Sequence, residues 1–394
     1  MKVGIDALGV AVPSMCIDLE VLAKARGVDP LKYLDGLGTW RMGVAPLDED
    51  TVTLAARAAS MAMKSAQASP DEIGMLVVGT ETAVDHSKPV SSFVQGLLGI
   101  GTRCRVFETK HACYGGTAAL MMALDWIRSG SAQGKKALIV CSDIARYGLK
   151  TAGEPTQGAG AVALVVSANP RLVELDPSRT GQYASDVHDF WRPLYSKDAF
   201  VDGHYSVQCY LDAITGAYKH YKELEPTVTA NDFAALAYHV PYGKMAKKAH
   251  RQLRALENDP APDASFETQV AASLALPAQV GNIYTGSLYL ALTSLLSTSA
   301  RPLDGQRIGL FSYGSGSCAE FFSGTVVAGA QERVKALGLQ AMLDARKKLS
   351  IDEYEAIMRA REEADVKPVE TKAADDYRFL GVDSHKRTYV GPRA

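Results

Sequence analysis

Short apolar runs separated by longer stretches of helical periodicity set the frame of this chain. Met75 to Gly79, Ala137 to Cys141, Ala161 to Val166, Ala234 to Val240 and Ile308 to Phe311 are each brief and rich in aliphatic or β-branched residues. Each ends at a glycine or polar turn, the mark of a strand buried on both faces. Between them, Thr51 to Ala68 and Thr117 to Ser129 carry helical patterns. The second is apolar on nearly every face (Ala118, Leu120, Met121, Met122, Leu124, Trp126, Ile127), so it is expected inside the molecule. Strands alternating with helices predict layered α/β architecture.

Comparable runs of strand, glycine turn and buried helix occur in both halves, without a clean repeat at the residue level. The apolar run ending near Asn169-Pro170 marks a boundary, giving halves of 1–168 and 169–394. Glu257 to Ala264 reads as a surface loop. From about Gln331 the chain turns highly charged, with helical spacing through Arg361 and then a polar stretch to Asp376. That tail is expected to be peripheral.

Composition narrows the function without naming it. At 394 residues and 47% hydrophobic content, the chain has ample material for two domains or one large domain of two similar halves. A formal net charge of -2 gives no electrostatic footprint for nucleic acid. No apolar stretch has the ~18 residues needed to span a bilayer. Met1 to Pro13 alternates like a strand and lacks the basic-then-apolar order of a signal peptide. The six cysteines (Cys16, Cys104, Cys113, Cys141, Cys209, Cys318) are scattered, with no CxxC pair, and read as reduced thiols of a cytoplasmic protein without metal spacing.

One of those thiols is a candidate nucleophile. Cys113 sits in Phe107 to Thr117 (FETKHACYGGT), directly before the apolar helix. A thiol at a helix N-terminus feels the positive end of the peptide dipoles, which favours the thiolate. Gly115, Gly116 and Thr117 leave room for a substrate to approach the backbone. A plain buried cysteine is the competing reading. His239, in Ala237 to Pro241, lies where an aliphatic run meets a loop, the usual place for sites in α/β folds, although a structural histidine also fits. Asn282, in Val280 to Ser287 (VGNIYTGS), precedes another apolar helix and equally suits a helix cap.

Cysteine, histidine and asparagine at strand–helix junctions make an acyl-transfer set. The thiol takes the acyl group and the other two donate to a thioester oxygen. Glu81 ends the run Met75 to Glu81, where desolvation would strengthen a carboxylate as a base. A solvated strand-end acid is the alternative, and Asp85 is a rival for the role. Lys244 to Arg254 places cations beside an apolar stripe of Met245, Ala249 and Leu253; it is either a solvated face or a contact for coenzyme A phosphates. Gly158-Ala-Gly160 and Tyr313 to Ser317 lack a Walker pattern and read as tight turns near the acyl site.

Eight motifs in order carry a family resemblance: Gly79 to Asp85 (GTETAVD), His111 to Tyr114 (HACY), Ala145 to Gly148 (ARYG), Gly153 to Gly160 (GEPTQGAG), Asp189 to Pro193 (DFWRP), His239 to Pro241 (HVP), Gly281 to Gly286 (GNIYTG) and Phe311 to Ser317 (FSYGSGS). On these the chain resembles bacterial 3-hydroxy-3-methylglutaryl-CoA synthases of the thiolase superfamily, from Gly4 to about Tyr354. The resemblance implies a duplicated α/β/α/β/α thiolase-like fold with two mixed five-stranded sheets, usually dimeric. It assigns nucleophile to Cys113, general base to Glu81, and binding of the acetoacetyl thioester to His239 and Asn282. Substrate contacts carry over onto Asp29, Thr156, Ser206, Lys248 and Ser315, with Lys244 a further candidate for coenzyme A and Tyr147 lining the site.

The implied substrates are acetyl-CoA and acetoacetyl-CoA, with no metal or redox cofactor, in the mevalonate route to isoprenoids. Three rivals remain at this stage. A decarboxylating β-ketoacyl synthase would leave Glu81 idle. A synthase of polyketide β-branching would act on an acyl carrier protein; Tyr205 to Asp212 and Ala345 to Tyr354 look somewhat like that branch, whereas Gly153 to Gln157 and Asp189 to Pro193 look more like the mevalonate branch. A degenerate scaffold subunit, within an assembly containing a thiolase, would need no intact catalytic set.

Overall fold

The computed structural model describes residues 1–363 and 376–392, so the polar stretch expected before Asp376 lies outside the described residues. The N-terminal half runs β1 (Val3–Ala11), β2 (Met15–Asp18), α1 (Leu19–Ala25), α2 (Leu31–Leu34), β3 (Arg41–Val44), α3 (Thr51–Ala66), β4 (Ile73–Gly79), α4 (Val90–Leu97), β5 (Arg105–Thr109), α5 (Gly115–Arg128), β6 (Lys136–Ile144) and β7 (Ala159–Ala168). Its sheet has the order β1-β7-β6-β4-β5, parallel from β6 outward to β5 and antiparallel across β7 and β1. The apolar runs are strands because alternate residues feed two cores. Leu76, Val78, Leu138 and Val140 face α3, while Met75, Val77 and Ile139 join the core that contains α5.

The C-terminal half continues with β8 (Val173–Leu175), β9 (Gly181–Ala184), β10 (Phe190–Trp191), β11 (Phe200–Val201), α6 (Gly203–Leu224), β12 (Ala235–Tyr238), α7 (Gly243–Ala255), α8 (Pro262–Gln269), α9 (Pro277–Val280), α10 (Ser287–Thr298), β13 (Arg307–Gly314) and β14 (Cys318–Val326). Here α10 packs on β12 and β13, and α6 covers β9 and β14. The Thr117 hydroxyl of α5 lies 2.7 Å from the Tyr289 hydroxyl of α10, tying the two inner helices together. Five layers result, with α3 outside one sheet, α5 and α10 in the middle, and α6 with α7 outside the other. Between Ser287 and Leu296 every residue of α10 is buried. In contrast, α5 opens one face, with Met122 46% exposed, so it is not apolar-buried all round as its sequence implied.

The two expected five-stranded sheets are continuous in the structure. Strand β8 pairs with β1 on one edge and β14 on the other, making a single mixed sheet of ten strands. Glycine on both neighbours permits this close join. A Cβ at Gly4 would sit 2.0 Å from the Val173 carbonyl, and one at Gly324 2.7 Å from the Glu174 carbonyl.

The described parts of the tail, expected to be peripheral, pack against the body of the fold. After α11 (Ala330–Lys335) and α12 (Leu339–Asp344), β15 (Lys347–Lys348) pairs with β2, and α13 (Ile351–Glu363) packs on α1. Tyr354 of α13 is fully buried, and the Arg361 guanidinium donates to the carbonyls of Ala45, Pro46 and Glu49. The closing hairpin, β16 (Arg378–Asp383) and β17 (Lys386–Val390), sets Tyr389 against Phe93 of α4. Among the described charges of this segment, Lys348, Glu355, Arg361, Arg378 and Arg387 bond groups of the N-terminal half, whereas Lys347 pairs with Glu353 within the tail. No described helix is long and apolar enough to cross a membrane.

Candidate active site

Between β5 and α5 the chain makes a tight turn in which the Tyr114 amide donates to the His111 carbonyl at 2.9 Å and Ala112 takes a left-handed φ of 39°. This turn brings Cys113 to the N-terminal end of α5. Gly116 is small for a different reason than expected. A Cβ there would lie 2.3 Å from the Cys141 sulfur on β6, and a Cβ at Gly79 would lie 2.5 Å from the Gly116 amide. The glycines let the helix start press onto β4 and β6, which fixes the thiol's position. Substrate access is not what they provide.

Glu81 follows the end of β4, and its Oε1 accepts the Cys113 thiol hydrogen at 3.3 Å. The loop that carries it is held by Asp143 at the end of β6. One Asp143 oxygen accepts from the Thr80 hydroxyl (2.7 Å), the amides of Glu81 (2.9 Å) and Thr82 (3.0 Å), and the Thr82 hydroxyl (2.7 Å). The other oxygen accepts from the Thr285 amide and hydroxyl, which ties this loop to the one bearing Asn282. Asp85 faces water, its carboxylate occupied by the amides of Ser87 and Lys88 at 2.8 Å, so it is not the base.

Electrostatics here depart from the sequence expectation. Burial, then the nearby Glu81 charge, pushes the Cys113 thiol well above its ordinary range. Cys113 is therefore held as a thiol and not as the dipole-stabilised thiolate expected from its place at the helix end, because desolvation dominates. Burial and the Asp143 charge push Glu81 up to about 8, with Arg192 pulling it back. Burial drives His239 down to about 3, so its imidazole is neutral and donates a single N–H.

Cys113 lies in the wall of a cavity of about 310 Å³ that also takes in Tyr147, Thr156, Ser206, His239, Asn282 and Ser315. Glu81 is behind Cys113 and meets the cavity through that contact. The His239 backbone is pinned by Phe311 (2.7 Å) and the Tyr210 hydroxyl (2.8 Å). Asn282 lines the cavity but does not cap α10, whose N-cap is Gly286. Its carboxamide oxygen accepts from the Tyr284 amide (2.9 Å) and the Ser287 hydroxyl (3.0 Å), which holds the turn before α10 and leaves the NH2 as the donor group. That side chain also hydrogen-bonds the Tyr147 hydroxyl.

Asp29, Lys244 and Lys248 do not line the cavity. The Asp29 carboxylate caps the Leu31 amide at 3.0 Å beside α2. Lys244 and Lys248 sit on α7, next to the cavity-lining Met245, and the Lys244 amide bonds Leu37 in the segment following α2. Of the cations on that helix, Lys247 and Arg251 pair with Asp263. Sequence reasoning missed Asp143, Asp189 and Arg192. Asp189 is fully buried and holds the Tyr313 hydroxyl (2.5 Å) and the Gly316 amide (2.9 Å), thereby shaping the turn that presents Ser315. Asp143 lies inside β6, two residues past the apolar run Ala137 to Cys141, and nothing local in the sequence separates it from a solvated strand-end acid. Gly158 forms an isolated antiparallel bridge with Gly281, so that glycine turn does abut the Asn282 loop.

A duplicated α/β sandwich with a thiol against a carboxylate, opposite neutral imidazole and amide donors, defines the thiolase-fold condensing enzymes as the class. The family models for the hydroxymethylglutaryl-coenzyme A synthase N terminal and C terminal regions match residues 1–170, and 173–265 with 251–378. The chain belongs to the hydroxymethylglutaryl-CoA synthase family. It is 41% identical over 366 residues to the hydroxymethylglutaryl-CoA synthase of Enterococcus faecalis, covering 93% of this chain and 94% of that one. To the polyketide biosynthesis 3-hydroxy-3-methylglutaryl-ACP synthase PksG of Bacillus subtilis it is 36% identical over 374 residues, 91% and 88% of the two chains. Among solved structures, MvaS in complex with 3-hydroxy-3-methylglutaryl coenzyme A superposes with a TM-score of 0.94 at 50% identity, covering 100% of this chain and 99% of that one.

Proposed function

We propose that this synthase condenses an acetyl group held on Cys113 with acetoacetyl-CoA and water, giving 3-hydroxy-3-methylglutaryl-CoA and coenzyme A. The observation that carries the assignment of roles is the 3.3 Å contact between the Cys113 sulfur and the Glu81 carboxylate. The Cys113 sulfur attacks the thioester carbonyl of acetyl-CoA, and the thiol proton leaves on coenzyme A by way of Glu81. Glu81 then takes a proton from the methyl of acetyl-Cys113, and the resulting carbon attacks the ketone of acetoacetyl-CoA. Neutral His239 and the Asn282 NH2 donate to the oxygens on which charge develops. Water hydrolyses the remaining thioester to Cys113. Each proton passes through one carboxylate poised to accept and return it.

Coenzyme A-borne substrates are favoured over carrier-protein-borne ones by the 50% identity to MvaS, against 33% to the curacin-pathway synthase that was solved with its acetyl donor acyl carrier protein. The mevalonate route, a homodimer and a cytoplasmic setting go with that reading, and the free cysteines are in keeping with the last. The test is labelled acetyl-CoA, with mapping of the label, followed by acetoacetyl-CoA or the same acyl group on a carrier protein. Label on Cys113 and product from free acetoacetyl-CoA are expected. No acetyl-cysteine under turnover would leave a scaffold role, and product only from the carrier protein would move the enzyme to polyketide branching.

A further inference from the structure

The loop 145–158 supplies Tyr147, Gly153 and Thr156 to the cavity, yet it lies outside the main sheet, between β6 and β7. Side chains hold it from behind. The Tyr147 amide donates to the Gln157 carboxamide oxygen at 2.9 Å, and the Gln157 NH2 donates to the Tyr354 hydroxyl at 3.0 Å. That hydroxyl reaches the Glu154 carboxylate at 3.3 Å. Arg26 grips the same carboxylate with two bonds of 2.8 Å and spends its remaining arm on Glu355 at 2.7 Å. Glu154, Gln157 and Tyr354 are all buried. Tyr354 and Glu355 belong to α13, the first of them 197 residues from Gln157 in the chain.

Polarity makes this a directed relay. The Glu154 carboxylate only accepts, so the Tyr354 hydroxyl must spend its hydrogen there and accept from Gln157. The Gln157 amide is thereby turned with its oxygen toward the Tyr147 N–H. Tyr147 in turn bonds Asn282 through its own hydroxyl. We infer that Tyr354 is a positioning residue for the acceptor end of the active site, acting through Gln157 and Tyr147. The inference rests on the reading of Asn282 as the acceptor's hydrogen-bond donor.

Tyr354→Phe keeps the ring and removes the relay's central oxygen. The expected result is Cys113 acetylation at the wild-type rate with condensation onto acetoacetyl-CoA slowed on the order of ten- to a hundredfold, the effect of a small misplacement of a binding group. In a Tyr147→Phe background the same change adds no further loss, since the hydroxyl it positions is already gone. Condensation by Tyr354→Phe at the wild-type rate, an equal fall in both half-reactions, or losses that multiply in the double variant would each overturn the relay. Gln157→Leu breaks the same chain from the loop side and must give the same split, which covers the case that the first variant does not fold. A wild-type enzyme without condensation would instead overturn the proposed reaction.

Discussion

Burial raises both members of the Cys113–Glu81 pair, with opposite consequences for chemistry. For the thiol it is a hindrance, and acylation needs the neighbouring carboxylate to draw off the proton. For the carboxylate it is the source of basicity, because a group pushed up to about 8 competes better for a carbon-bound proton than one at the ordinary value. Glu81→Ala is expected to keep some acetyl-Cys113 but to lose condensation by about 10²–10⁴-fold, measured as product formed from pre-acetylated enzyme. The pH dependence has a definite sign. The base works when ionised, so the condensation rate climbs as pH rises toward about 8 and levels above it, and Glu81→Gln abolishes that limb. Neutral His239, at about 3, contributes no step near the usual histidine value. A rate profile with its inflection in the ordinary carboxylate range would contradict the desolvated site.

At the scale of elements, the site exists because helix and strand ends press together more closely than side chains allow. Gly79→Ala places a methyl 2.5 Å from the Gly116 backbone, which no side-chain movement can relieve. The expected outcome is ~1–3 kcal/mol of lost stability by urea unfolding, with slower Cys113 acetylation in the protein that folds. Unchanged acetylation would mean the β4–α5 contact does not set the thiol. The strands and the inner helices were legible in the sequence because buried strands and helices carry their own periodicity. Cys113, Glu81, His239 and Asn282 stood out as polar residues where that periodicity stops. Asp143 did not, since its partners Thr80 and Thr285 lie 63 and 142 residues away and only folding assembles them. The glycine pair was visible, but its purpose depends on which strand lies beneath, and that is not written locally.

For the whole molecule, the end of the chain closes the half in which it began. A run of charges reads as solvated when each is considered alone, which is why the tail looked peripheral; its partners are buried groups far back in sequence. Glu49 is fully buried and takes Arg57 (3.1 Å) and Arg378 (2.7 Å), while Asp50 caps α3 with one oxygen and takes Arg387 (2.9 Å) and Tyr389 (2.7 Å) with the other. Helix α3 in turn packs on β1, β6 and β7, the last two flanking the loop that bears Tyr147. Removing residues 376–394 therefore strips partners from two acids and uncovers Phe93 in one cut. Loss of a buried charge's partner is costly, so the truncated chain is expected to unfold with ~3 kcal/mol less stability in urea. Below its transition it should still acetylate Cys113, because the hairpin touches neither the thiol nor Glu81. Arg387→Ala isolates one ion pair of this clasp and should show a smaller loss of the same kind. An unfolding midpoint unchanged by the truncation would mean that α3 is held by the sheet alone and that the returning hairpin is an ornament on the fold.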